Sequence, residues 1–364
     1  MDFLKNILQN LDWKIIAAAA VLVCFGLLGI FSSGWAKGDL SNFYKQIVFF
    51  AIGILFMVFF SLFDYRLVKN NSYLILALYG VCLLSLLGLH FFAPIIKGTR
   101  GWYRIGGFNF DPIEPTKIVL LFLLAKYFSG RHIEMYKFRH IILSGFYVFA
   151  AAIFVFTKPD IGGTMVLVLM WLGVLLVSGI KTKHLIVIIL CFAVVATLGW
   201  NFMMKPYQKD RILSFVFPEL DPLGSSWSQD QAKIAIGSGQ ILGQGLAQGS
   251  QVQYGFLPES HTDFIFSVIA QEWGIVGVLA LFFVYGILVW EILGVATRTR
   301  DNFSKLFAAG FAVILISQFF INIGMNLSML PVVGIYLPFI SYGGSGLIFN
   351  FIALGILQSL KTRK

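Results

Sequence analysis

Lys14-Ile-Ile-Ala-Ala-Ala-Ala-Val-Leu-Val-Cys24-Phe-Gly-Leu-Leu-Gly-Ile-Phe-Ser-Ser33 carries its only charge at its first position and is long enough to cross a bilayer. The hydrocarbon core is spanned by about 20 apolar residues wound as a helix, because lipid offers the backbone no hydrogen-bond partner. Comparable blocks recur along the chain, and spans are placed at 14–33, 46–63, 72–92, 113–128, 141–157, 161–178, 185–203, 264–296, 305–329 and 342–360. The alternating segments of a membrane β-barrel are absent. The sequence therefore predicts an all-α integral membrane protein of about ten transmembrane helices. It reads as a single polytopic membrane domain over 1–364, with one large extracytoplasmic loop, 204–263, between helices 7 and 8 and carrying part of the site. The block from Phe264 to Ala296 exceeds a simple span and is expected to tilt or to project beyond the hydrocarbon.

Composition supports this reading. Of 364 residues, 58% are hydrophobic and 12% charged, with a mean hydropathy of +0.84. A soluble domain carries about 25% charged residues, so a water-facing surface cannot be built here. A net charge of +10 would suggest nucleic acid in a soluble protein, but here it has a topological reading. Arg66 and Lys69, then Arg131, Lys137 and Arg139, then Lys181 and Lys183, then Arg298, Arg300 and Lys305 fall in alternate short loops. Lys5, Lys14, Lys361, Arg363 and Lys364 mark the ends in the same way. Basic short loops stay in the cytoplasm, which predicts two cytoplasmic termini and external segments at 93–112, 158–160, 204–263 and 330–341. Cys24, Cys82 and Cys191 sit in three separate apolar blocks and fit neither a metal spacing nor a disulfide framework.

The polar residues gather in the external set. Glu114 and Lys117 are three apart on one helix face, behind Pro112 and Pro115 in the first turn. A charge inside a membrane costs about 2.5–3.5 kcal/mol even on lenient scales, so the pair should face a cavity; a structural ion pair or an interfacial anchor is the alternative. In Lys158-Pro-Asp160-Ile-Gly-Gly-Thr164, Asp160 complements the positive end of the next helix, as a cap or as a cavity ligand. The long loop supplies Arg211 and two glycine clusters, Ala235-Ile-Gly-Ser-Gly239 and Leu242-Gly-Gln-Gly-Leu246. No Gly-Lys-Ser/Thr follows, so the glycines read as tight turns and close backbone approach, not a phosphate loop.

Phe256-Leu-Pro-Glu259-Ser-His-Thr-Asp263-Phe-Ile-Phe-Ser267 brings an acidic stretch to the start of the long apolar block. Glu259, His261 and Asp263 make a weak metal pattern, and Asp263 is equally a helix cap or a general base by spacing alone. Glu272 further along needs a buried partner. Gln318, Asn322 and Asn326 form a polar stripe that reads as hydrogen-bonding glue between helices, and the small residues of Pro338-Phe-Ile-Ser-Tyr-Gly-Gly-Ser-Gly346 read as close packing.

Leu257-Pro-Glu-Ser-His-Thr-Asp-Phe-Ile-Phe266 and Leu337-Pro-Phe-Ile-Ser-Tyr-Gly-Gly-Ser345, in this order and spacing, resemble the SEDS family (shape, elongation, division and sporulation), in its RodA branch. Pro159-Asp160-Ile-Gly162 and Gln248-Gly-Ser-Gln-Val-Gln253 add to the resemblance, which covers nearly the whole chain. It implies a peptidoglycan glycosyltransferase that polymerises lipid II, an undecaprenyl-diphosphate-linked disaccharide peptide. Such an enzyme works at the outer face of the bacterial cytoplasmic membrane, for elongation and cell shape, beside a class B penicillin-binding protein. By the same resemblance Asp263 is the catalytic residue and Glu114 and Lys117 are the pair lining the cavity. Asp160, Arg211, Glu259 and His261 complete the expected substrate-binding set. The family often has Gln-Pro-Ser-Glu where this chain has Asp111-Pro-Ile-Glu114, Arg where Gly101 precedes Trp102, and Gln in place of Lys158.

The chemistry expected is proton removal by Asp263 and inverting displacement of a lipid diphosphate, with Lys117 and Arg211 as its cationic contacts. It admits a divalent cation, magnesium or manganese, and calls for no organic cofactor. The expected partners are lipid II, the penicillin-binding protein and membrane lipids, with no nucleic acid. The rival readings are a lipid II flippase, whose mark would be inverted repeats, and a non-catalytic scaffold for a penicillin-binding protein; no clear repeat is visible.

Overall fold

A computed structural model describes residues 11–94, 101–130, 138–158, 160–204, 206–217 and 225–362. Helices α1 (Trp13–Lys37), α2 (Ser41–Leu62), α3 (Tyr65–Asn70) and α4 (Ser72–Phe92) precede a hairpin of β1 (Tyr103–Ile105) and β2 (Phe108–Phe110). Then follow α5 (Ile113–Ser129), α6 (Phe138–Thr157), α7 (Ile161–Val177) and α8 (Thr182–Leu198), the last running into a π-helical turn over Gly199–Met203. The long connection holds α9 (Pro206–Val216), α10 (Ser225–Ser238) and α11 (Ser250–Gln253). The chain closes with α12 (Ile265–Arg298), α13 (Asn302–Asn326) and α14 (Gly344–Thr362). Among the described residues eight helices are long and apolar enough to cross a membrane, and Ile161–Val177 is a shorter apolar helix.

Local chemistry sets the ends. Asp12 accepts from Lys14 N at 3.2 Å to start α1, and Asp301 accepts from Ser304 N at 3.2 Å to start α13. Helices α13 and α14 form the centre, with 78% of each apolar window buried, whereas α8 has 6% buried and faces outward. In lipid there is little hydrophobic drive between helices, so small residues that let backbones approach decide the packing. Gly53 faces Phe351, Gly310 faces Leu121 and Gly26 lies against the Ile340 carbonyl, each too close for a Cβ.

Lys361 donates to Asp12 at 2.6 Å and Lys69 to Asp301 at 2.9 Å, so the start of α1 meets the end of α14, and the basic connections around 69 and 301 meet. Lys158 and Asp111, and Ser341 and Thr262, join the other set of connections. These contacts join basic connections to one another and segments of the other set to one another.

Two features add to what the sequence predicts. The connection over 204–263 contains three helices. The 34-residue α12 is also not one continuous helix, because Gly274 breaks it with φ 63° and ψ −162°. A side chain does not tolerate that conformation, and glycine does. The main-chain groups released at the break are taken up by the glycine-rich loop. Ile275 N donates to Gln240 O at 2.9 Å and Val276 N to Ile241 O at 3.2 Å. In return Gln244 N donates to Gln271 O and Gly245 N to Glu272 O, both at 3.0 Å. Irregular backbone at membrane depth persists only when protein satisfies it in this way. Gly239 and Gly243 lie against the Ala270 and Glu272 carbonyls with no room for a Cβ, the close approach that the glycine pattern predicts. The hairpin was not anticipated; Gly106 and Gly107, at φ 55° and 83°, make its two-residue turn.

Candidate active site

A cavity of about 1140 Å³ opens where the hairpin, the N-terminal ends of α5 and α7, the 258–264 segment and the 332–346 connection converge. Its wall includes Glu114, Asp160, Glu259, His261 and Asp263, five of the seven residues singled out by sequence. Lys117 is held against Glu114 but stands behind the wall. The side chain of Arg211 lies outside the described residues.

Each group is placed by its own element. Asp111, just ahead of α5, accepts from Ile113 N at 3.0 Å and so fixes the first turn that carries Glu114 and Lys117. Glu114 Oε2 and Lys117 Nζ are 2.8 Å apart, and both side chains are about 5% exposed or less. Burial of a cation and an anion together is tolerable only with such geometry and further hydrogen bonds. The further bond comes from Tyr336, whose hydroxyl donates to Glu114 Oε2 at 2.8 Å. Burial and then the Glu114 carboxylate hold the Tyr336 phenol well above its ordinary range, so it stays a donor.

Asp160 caps α7, accepting from Gly163 N at 2.7 Å, and also lines the cavity. Burial raises its carboxyl above the usual range, opposed by Lys158. Lys158 in turn donates to Asp111 Oδ1 at 3.2 Å. Burial disfavours its charge, but Asp111 and Asp160 outweigh that and hold the ammonium above its usual value. Asp111 and Lys158, two of the positions where this chain departs from the pattern it resembles, are thus partners of one another.

Asp263 is half-buried just before α12. Its main-chain oxygen accepts from Asn322 Nδ2 at 2.9 Å and Asn326 Nδ2 at 3.0 Å, so the polar stripe of α13 is the glue expected of it, applied to the site segment. Asn322 also donates to Ile335 O at 2.8 Å, bringing the 333–336 turn alongside, and a Cβ at Gly334 would stand 3.8 Å from Asp263 Oδ2. Ser341 Oγ donates to Thr262 O at 2.7 Å and Tyr342 N to His261 O at 2.8 Å, seating the small-residue segment on the same loop. Glu259 adopts φ 45°, uncommon for a side-chain-bearing residue, with Thr262 Oγ1 3.3 Å from its Oε2. Glu272 finds its buried partner in Ser32.

Among the described residues no group of three or more His, Cys, Asp or Glu side chains is placed to hold a metal ion, and Glu259, His261 and Asp263 do not converge as one. Tyr336 is the site residue that sequence reading missed; its only signal was an aromatic beside the Leu337-Pro-Phe motif.

The chain matches, over residues 12–364, a family model of the FtsW, RodA and SpoVE type, described as cell cycle protein. It is 34% identical over 355 residues to the peptidoglycan glycosyltransferase MrdB of Escherichia coli strain K12, covering 98% of this chain and 94% of that one. Its fold resembles a chain in a structure described as the coordination of polymerization and crosslinking by a peptidoglycan synthase complex. That likeness has a TM-score of 0.81 and 31% identity, over 96% of this chain and 97% of the other. The Thermus thermophilus rod shape determining protein RodA aligns at a TM-score of 0.71 and 28% identity, over 96% of both chains.

Proposed function

The chain belongs to the FtsW, RodA and SpoVE family, and from that premise we propose that it is a peptidoglycan glycosyltransferase with Asp263 as its general base. The observation that carries the residue assignment is the convergence of Asp263, Glu114 and Tyr336 on one cavity, with Lys117 directly behind. The substrate is lipid II, whose donor sugar bears a lipid diphosphate at its anomeric carbon. Asp263 takes the proton of the acceptor sugar hydroxyl as that oxygen bonds to the anomeric carbon. The bond from that carbon to the diphosphate breaks, and the diphosphate leaves with the electron pair. A good leaving group needs no second carboxylic acid, unlike ordinary glycoside hydrolysis, and single displacement inverts the anomeric centre. Lys117, Arg211 and the ends of α5 and α7 supply positive potential to the departing charge. Asp160, Glu259 and His261 face the sugars from the wall. A magnesium or manganese ion would enter with the substrate phosphates and at most one or two wall carboxylates, supplying charge neutralisation.

The Lys and Arg distribution puts both termini in the cytoplasm and the cavity on the outer side of the bacterial cytoplasmic membrane. A class B penicillin-binding protein is the partner proposed, in keeping with the synthase complex to which the fold is similar. The test is a purified full-length chain, alone and with such a partner, given lipid II. Glycan strands are expected. Translocation of lipid II across vesicles without polymer would make it a flippase, and neither activity would leave a scaffold.

A further inference from the structure

Tyr336 lies in the connection between α13 and α14, and the transfer reaction by itself assigns it no step. Its contacts are specific. The hydroxyl donates to Glu114 Oε2 at 2.8 Å, Lys117 Nζ donates to the same phenol oxygen at 3.4 Å, and the ammonium stands 5.3 Å from the ring centroid. One phenol therefore closes over both members of a buried pair. The ring has little freedom, since a Cβ at Gly346 would sit 2.8 Å from its Cζ and Asn322 pins the preceding carbonyl. Glu114 and Tyr336 form the cavity wall, and Lys117, 3% exposed, is covered by them.

An anion arriving in the cavity changes the balance. When a diphosphate oxygen draws Lys117 to itself, the Glu114 carboxylate stays buried and loses its cation. A buried charge stripped of its partner is far more costly than one that keeps a donor. The hydroxyl of Tyr336 is the donor that remains. We propose that Tyr336 is a positioning residue that screens Lys117 from the cavity in the free enzyme and holds Glu114 while Lys117 is released to the diphosphate of the donor. This rests on Lys117 being the cationic contact of that diphosphate.

The test uses purified full-length chain in steady-state lipid II polymerisation, comparing Tyr336→Phe, Glu114→Gln, the double variant and Lys117→Met, with thermal melts on each. Tyr336→Phe keeps the ring and its packing but removes the donor. It should raise KM for lipid II on the order of tenfold, with a smaller change in kcat. In the Glu114→Gln background the same substitution should cost no more than about twofold, because a neutral amide leaves no buried charge to hold. A wild-type KM in Tyr336→Phe, with or without a lower melting temperature, would overturn the proposal. So would an equal cost in both backgrounds. Wild-type kinetics in Lys117→Met would instead remove the parent reading, whereas an impaired Lys117→Met beside a normal Tyr336→Phe would sink only the role of the tyrosine.

Discussion

Lys158 and Asp111, 47 residues apart in sequence, meet at 3.2 Å in the cavity wall and tie the start of α7 to the start of α5. The lysine side chain is 1% exposed and the aspartate 18%. The contact joins two elements that are far apart in sequence by one ion pair.

Removing one partner should therefore be worse than removing both. Lys158→Gln leaves Asp111 with a weaker partner beside Asp160 and should destabilise by about 2–4 kcal/mol. The double variant Lys158→Gln with Asp111→Gln, which restores neutral hydrogen-bonding groups, should recover most of that. Thermal melts in detergent measure both, and additive losses would show that the pair is not coupled.

Asn322 couples the base to the opposite side of the cavity, through Asp263 O at 2.9 Å and Ile335 O at 2.8 Å. Asn322→Ala leaves two carbonyls without this donor and should cost about 1–3 kcal/mol of stability. It should also lower kcat more than it raises KM, because it loosens the geometry between Asp263 and the Tyr336 side. An unchanged kcat in folded protein would mean that the stripe serves packing alone.

The glycine loop that satisfies the break in α12 makes a third test. Gly243 has φ 82° and faces the Glu272 carbonyl, while Gly255 has φ 71° in open space. Gly255→Ala should cost only the backbone strain, about 1–2 kcal/mol. Gly243→Ala adds a clash with main chain and should cost on the order of 4 kcal/mol. Yields of folded protein and melting temperatures separate the two; equal effects would place the loop away from the helix break.

The membrane spans were legible because about 20 consecutive apolar residues have no other stable solution in lipid. Asp263, Glu114 and Asp160 were legible because polar groups at apolar helix ends are few. What escaped was non-local. Gly274 looks like any helix glycine in a membrane protein, and its break is stable only because residues 240–245, thirty positions earlier, supply the hydrogen bonds. Tyr336 lies 222 residues from Glu114, and no periodicity links them. The hairpin did carry a signal, Gly106-Gly107 between Tyr-Arg-Ile and Phe-Asn-Phe, but its six strand residues are dwarfed by the apolar blocks on either side.

Orientation is open to labelling. In a chain with Cys24, Cys82 and Cys191 replaced, Tyr254→Cys, at a position 75% exposed, should react with an impermeant maleimide from outside intact cells. Thr297→Cys, at the far end of α12, should react only after permeabilisation. The reverse pattern would put the cavity in the cytoplasm and remove the outer-face chemistry.

The central claim is that the Asp263 carboxylate accepts the proton of the attacking hydroxyl, and the rate of lipid II polymerisation by purified Asp263→Asn tests it most directly. Asn322 and Asn326 hold the main-chain oxygen of Asp263, which the substitution leaves in place, so the melting temperature and partner binding should not change. The rate should fall by about 10²-fold or more, the scale of a lost general base. Glycan strands made at the wild-type rate by the folded variant would contradict the account and leave Asp263 a structural residue at the start of α12.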